Sequence, residues 1–351
     1  MQVPYRAAVP SAPVILENAL VRAEIHPCGA MLGPVRFRPQ PDSRSFDPFF
    51  VAPWSGDRSP AHDALPALLK NLRGEWPCVP FGAPTPRADL PADWRHDPAW
   101  QSSVDSFFHG YGSHRDWLLR ANDAQCVAEL VCPPDHPIER LERRIRLRES
   151  AAALDFQLSV KARRDSALPV ALHTVFQLPP RAAPQAELIF SEQARAWTFP
   201  VEVEPGRSLL RPDQRGISPN AVRCVDDVAR DVRRLPFDQP GEDLVLLTGT
   251  GGSVTLANPA EGYAATIIWD AAVLPSCLIW ISGGGRLDYP WLGQVCAVGI
   301  EPCCAPFDLG PAYGKGADTP LQRAGISTAL CLRGGQTWQT GYAICVSVLG
   351  E

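Results

Sequence analysis

The sequence predicts an all-β protein, a large antiparallel β-sandwich, and three observations carry that prediction. Apolar residues recur with a period of two along many short runs, the pattern of strands buried on one face. Those runs are punctuated by 27 Gly and 37 Pro among 351 residues, and proline interrupts both helix interiors and central strands. Only "PAHDALPALLKNL", around residues 60–72, reads as a helix.

Taken in chain order, residues 38–60 are rich in Pro, Asp and Ser, yet Phe49, Phe50, Val51 and Trp54 predict that they pack onto the body. The helix follows. Further on, "RRIRLR" sets Ile145 and Leu147 on one face with arginines on the other. "LDFQLSVKA" aligns Leu154, Phe156, Leu158 and Val160, and the intervening "ESAAA" predicts a hairpin or meander. Residues 200–219 read as a long loop. Six more strand-like runs carry the chain to its C-terminus: "SVTLAN", "YAATIIWD", "CLIWIS", "QVCAVGI", "STALCL" and "TGYAICVSVL". No linker-like stretch and no fixed-period repeat interrupts them, so one domain over residues 1–351 is expected.

Composition narrows the function. Hydrophobic residues at 45% and charged residues at 20% suit a folded chain with a sizeable core. A formal net charge of -5 argues against nucleic acid as a partner, because phosphate binding needs clustered positive charge. The densest basic stretch, Arg140 to Arg148, alternates with apolar residues and reads as the solvated face of a strand. The opening residues lack the apolar segment of a signal peptide, and no run is long enough to span a bilayer. Eleven cysteines without a C-x-x-C pair point to reduced, mostly buried thiols, and a cytoplasmic location is expected.

Chemistry has few carriers. "GTGG" at 249–252 and "GGG" at 283–285 lie between strands with no helix opening after them, so hairpin turns explain them better than phosphate loops. Among seven histidines, His109 and His114 sit in "FFHGYGSHRDW", without a further ligand at a recognisable metal spacing. His173 in "PVALHTVFQLP" reads by itself as a core histidine satisfied by backbone. Glu301 ends an apolar run in "AVGIEPCCAPFD", where it is either a general base or a capping group at a strand exit. Cys303 and Cys304 behind it read as buried filler, since a reactive thiol needs electropositive surroundings and Glu301 has the wrong charge.

Read together and in order, "HGYGSHRDW", "ALHTVF" and "VGIEP" resemble the aldose 1-epimerase (galactose mutarotase) family, with "ALHTVF" nearer its hexose-6-phosphate branch. "VILENALVRAEIHPCGAMLGPVRF" is similar to the family's opening strands, "PFGAPTPR" to its early loop and "LCLRGGQTWQTGYAICV" to its closing strands. "GEWPCVPFG" has no counterpart in the family's usual pattern, and two cysteines follow the glutamate.

The resemblance implies a large β-sandwich that interconverts the α and β anomers of a hexose or modified hexose. A base takes the proton of the anomeric hydroxyl while an acid on the opposite side of the anomeric carbon protonates the ring oxygen, the aldehyde turns, and the ring closes on its other face. Proton transfer alone implies no metal and no cofactor, with a small sugar as the partner. By the same resemblance Glu301 falls on the base, His173 on the acid and His109 on a sugar-holding histidine. Asp243 is matched to a substrate-binding aspartate, and Arg87 and Arg115 to a sugar- or phosphate-contacting arginine. Trp117 and Trp291 are candidates for stacking on a sugar face, with core packing the commoner fate of any single Trp. The alternatives are a non-catalytic sugar-binding or sensing protein on the same fold, or another carbohydrate-active enzyme, a lyase or hydrolase.

Overall fold

Alternating apolar side chains leave each strand one face to bury, and two antiparallel sheets bury theirs against each other. The computed structural model describes residues 6–7, 12–40, 44–100 and 105–350. One sheet has ten strands and runs from Arg6–Ala7 at one edge to Arg234–Leu235 at the other. At its centre Ile138–Leu147 and Ala153–Ala162 form the expected hairpin, with Leu147 opposite Leu154. Leu154, Phe156, Leu158 and Val160 all enter the core between the sheets. The closing strand, Thr337–Val348, pairs with Ala153–Ala162.

The other sheet has nine strands, which we label β1 (Val14–Glu17), β2 (Val21–Ile25), β3 (Leu32–Phe37), β4 (Glu75–Cys78), β5 (Val170–Gln177), β6 (Arg195–Thr198), β7 (Glu242–Thr248), β8 (Ser276–Gly283) and β9 (Cys296–Cys304). Their spatial order is β6-β7-β8-β9-β5-β4-β3-β2-β1. Its middle strands are buried on both faces, which is why they read as continuous apolar runs. Leu172 and Phe176 of β5, Ile279 of β8 and Ile300 of β9 point into the inter-sheet core. Ala171, Val175, Leu278, Trp280 and Cys303 point the other way, into a second cluster with Phe50, Trp54, Phe81 and Phe307. Connecting segments, including residues 44–60, cover that outer face with Phe50 and Trp54 buried there, while Phe49 joins the inter-sheet core.

Three expectations change. The helix around residues 60–72 is two short ones, Pro60–Asp63 and Ala67–Asn71, because Pro66 has no N–H to continue the ladder and biases Leu65 away from helical geometry. The glycines at 249–252 do not close a hairpin: β7 pairs with β6 and β8, while Ser253–Asn258 belongs to the ten-stranded sheet. They serve a crossing between sheets, with Gly249, Gly251 and Gly252 all at positive φ. Nor is the basic strand wholly solvated. Arg143 shares parity with Leu141, Ile145 and Leu147, so the pleat turns it inward, fully buried, against Glu75 of β4. Its Nη1 donates to the Ala30 carbonyl at 2.6 Å, and Tyr342 Oη donates to Glu75 Oε1 at 2.7 Å. Among the described residues no helix is long and apolar enough to cross a membrane.

Candidate active site

The outer face of the nine-stranded sheet builds the site from one cross-strand row. Register places Leu246 beside Leu278 and Leu278 beside Glu301. His173 lies between Ala171 and Val175, which face Cys303 and Gly299, so it stands across from Glu301, with Trp76 next along. His173 Nε2 is 3.5 Å from Glu301 Oε1. The neighbouring row supplies Trp280 and Gly299. The glycine has a steric reason: a Cβ there would collide with Glu301 Oε1 and lie 2.9 Å from Trp280 Cβ. The Glu301 carboxylate therefore leans over Gly299, which explains the spacing in "VGIEP".

A loop completes the group. His109 adopts φ 62, the left-handed region, and Gly110 follows at φ 85. Its imidazole stacks on Phe81 at 4.7 Å and meets His173 edge-on at 5.1 Å. Gly82 N–H donates to His109 Nδ1 at 3.2 Å, which leaves Nε2 to carry the proton of the neutral ring. His173 stacks on Trp76 at 4.0 Å. His109, His173 and Glu301 all line one cavity of about 590 Å³.

Burial sets the protonation of this group. It lowers His173 to about 3 and pushes the Glu301 carboxyl well above its usual range, helped by the nearby Asp308 carboxylate. His109 is likewise lowered by burial and by His173. Glu301 Oε2 and His173 Nδ1 have no hydrogen-bond partner, an uncommon state for atoms this deep. Burial thus disfavours charge on both members of the pair.

Other expected residues divide. Arg115 lines the cavity with its guanidinium over the rings of Phe107 and Tyr111. Trp291 also lines it, edge-on to Trp54 at 4.9 Å. Asp243 does not: its carboxylate accepts from the Leu209 and Leu210 N–H groups and anchors that loop. Arg87 is off the cavity and engages Asp89 at 2.7 Å. Trp117 is core, its Nε1 donating to the Gly112 carbonyl at 2.9 Å. His114 bonds the Phe108 carbonyl through Nε2, and among the described residues no three His, Cys, Asp or Glu side chains converge as a metal site. Cys303 is buried on the site's face with its thiol pushed well up, which opposes thiolate formation.

The motifs missed Trp76, Phe81, Trp280, Arg286 and Asp308, all cavity-lining. Glu242, fully buried, organises two of them: it accepts from Trp280 Nε1 at 2.6 Å and lies 2.9 Å from Arg286 Nε. A strand that reads "GED", with one acid on each face of the sheet, was the available signal for that arrangement.

No known family profile matches the sequence, and no curated protein matches it. Solved structures do. A protein from Synechocystis sp. superposes with a TM-score of 0.61 at 13% identity over 99% of both chains. The GalM/aldose epimerase homologue from C. elegans gives 0.57 at 12%, covering 97% of this chain and 100% of that one. A galactose mutarotase-like protein from Lactobacillus casei gives 0.54 at 15%, over 96% of this chain and all of that one, 100%. The chain has the galactose mutarotase-like fold. At these identities it is the fold that is shared, and within this galactose mutarotase-like sandwich the site must be argued from its own side chains.

Proposed function

We propose that the protein is an aldose 1-epimerase-like isomerase that interconverts the α and β anomers of a hexose or modified hexose. The observation that carries this reading is the side-by-side placement of His173 and Glu301, 3.5 Å apart, at one wall of a cavity. The anomeric hydroxyl and the ring oxygen are bonded to the same carbon, so an acid and a base must reach two neighbouring oxygens. Adjacent strands set the two side chains next to each other, where an acid and a base on opposite sides of the anomeric carbon were expected.

The pair holds one proton. As an ion pair, Glu301 takes the hydroxyl proton and His173 protonates the ring oxygen; with the proton on Glu301, the two exchange roles. Both forms carry the same number of protons, and each opening step leaves the pair set for closure. His109 Nε2 donates to the sugar, and Trp76 stacking steadies a transient imidazolium on His173.

The test is polarimetry on freshly dissolved α-glucose, α-galactose and their 6-phosphates. Native protein accelerates equilibration of at least one, and Glu301→Gln does not. Binding without acceleration by either protein supports the non-catalytic reading instead. Hydrolysis draws on one observation, the presence of Asp308 as a second carboxylate lining the same cavity. Release of reducing ends from oligosaccharides is the outcome that favours it.

A further inference from the structure

We propose that part of this cavity is a subsite for an apolar substituent, so that the substrate is a reducing sugar bearing an acyl or alkyl group away from its anomeric carbon. The proposal rests on the mutarotase reading, which requires the anomeric hydroxyl to be free.

The cavity, about 590 Å³, falls in the range that encloses drug-sized ligands. Several of its polar side chains adjoin one another. His173 adjoins Glu301 and His109 adjoins His173, while Arg286 acts electrostatically on both His109 and Asp308. The second short helix and its end give Leu69 and Leu72 to another stretch of wall, Leu244 and Leu278 come from β7 and β8, and Ser106, His114 and Arg115 also line the cavity.

That wall has few acceptors to spare. The Leu69 carbonyl accepts from Trp54 Nε1 at 2.7 Å, the Ala67 carbonyl from Asn71 Nδ2 at 2.9 Å, and the Leu72 carbonyl from the Ala52 N–H at 3.0 Å. A sugar hydroxyl pressed against it loses water and finds little in return, at roughly a 5- to 100-fold cost in affinity per unpaired group. A hydrocarbon chain gains there, by about fourfold for each methylene buried. For a phosphate, Arg286 already faces Glu242 at 2.9 Å and Arg87 is paired with Asp89, which leaves Arg115, stacked over Phe107 and Tyr111, as the guanidinium that glucose 6-phosphate would test.

The test is intrinsic tryptophan fluorescence, because Trp76, Trp280 and Trp291 line the cavity. Native protein is titrated with glucose, glucose 6-phosphate, and glucose carrying a hexanoyl ester at C6 or at C3. At least one ester is expected to bind tenfold or more tighter than glucose, and Leu69→Gln is expected to cut that advantage several-fold. A thermal melt confirms that the variant folds. The proposal is overturned if glucose or its 6-phosphate binds as tightly as both esters, or if Leu69→Gln leaves the ratio unchanged. Anomer exchange measured alongside separates the two claims. Tight ester binding without exchange on any sugar defeats the isomerase and leaves the subsite; exchange without ester preference does the reverse.

Discussion

Glu301 and His173 work as a pair only while they hold one proton between them. Below about 3 the imidazole charges and the pair carries two protons; above the raised carboxyl value it carries none. The rate is therefore expected to fall as pH rises through the raised carboxyl value, and Glu301→Gln is expected to lose about 10²- to 10⁴-fold in kcat. Stability moves separately. His173 is depressed from 6.5 to about 3, so within that window the unfolded chain binds a proton that the folded one refuses. Stability then falls as pH falls, by up to about 1.4 kcal/mol per pH unit from this residue, and His173→Gln flattens urea midpoints measured across that range. The carboxyl has the opposite sign: the proton Glu301 retains favours folding below 4.5, and that contribution is lost as pH rises through its folded value. At this scale the sequence was legible where a motif dictates backbone placement, as in "ALHTVF" and "VGIEP". Asp243 and Trp117 were misassigned because an acid or an aromatic at a strand end looks the same whether it anchors a loop, packs in the core or faces a ligand.

The element that presents His109 depends on one glycine. A Cβ at Gly110, which sits at φ 85, would come within 2.7 Å of the Pro80 and Val79 carbonyl oxygens. Gly110→Ala is expected to cost roughly 1–3 kcal/mol in denaturant unfolding and to weaken sugar binding by displacing His109 from Phe81. Strand periodicity exposed the hairpin of Ile138–Leu147 with Ala153–Ala162, because local pairing leaves a local pattern. It could not reveal that Glu75–Cys78 lies beside Val170–Gln177, some hundred residues away in the chain, which is the pairing that brings Trp76 onto His173. The cavity-lining Leu68, Leu69 and Leu72 were hidden in what read as one helix; Pro66 breaks it, and the second piece turns Leu68 and Leu72 inward.

Across the whole molecule, a buried charge pair ties the two sheets together. Arg143 of the ten-stranded sheet meets Glu75 of β4, and Tyr342 of the closing strand bonds the same carboxylate at 2.7 Å. Arg143→Met strands Glu75 without its cation and is expected to cost about 3–5 kcal/mol in urea unfolding, with Arg143→Met combined with Glu75→Gln recovering much of it. Equal losses for the single and double variants would remove the pair from this account. The sandwich itself was readable from alternation and punctuation; the burial of Arg143 was readable too, from its parity with Ile145, but charge pointed the other way. The central claim is that the imidazole and carboxyl do chemistry together. Magnetisation exchange between α and β anomeric protons, followed by NMR over a panel of free and acylated reducing sugars, addresses that directly. The account predicts accelerated exchange with native protein on at least one sugar and loss of it in folded Glu301→Gln; no acceleration on any sugar, or an equally active variant, would contradict it.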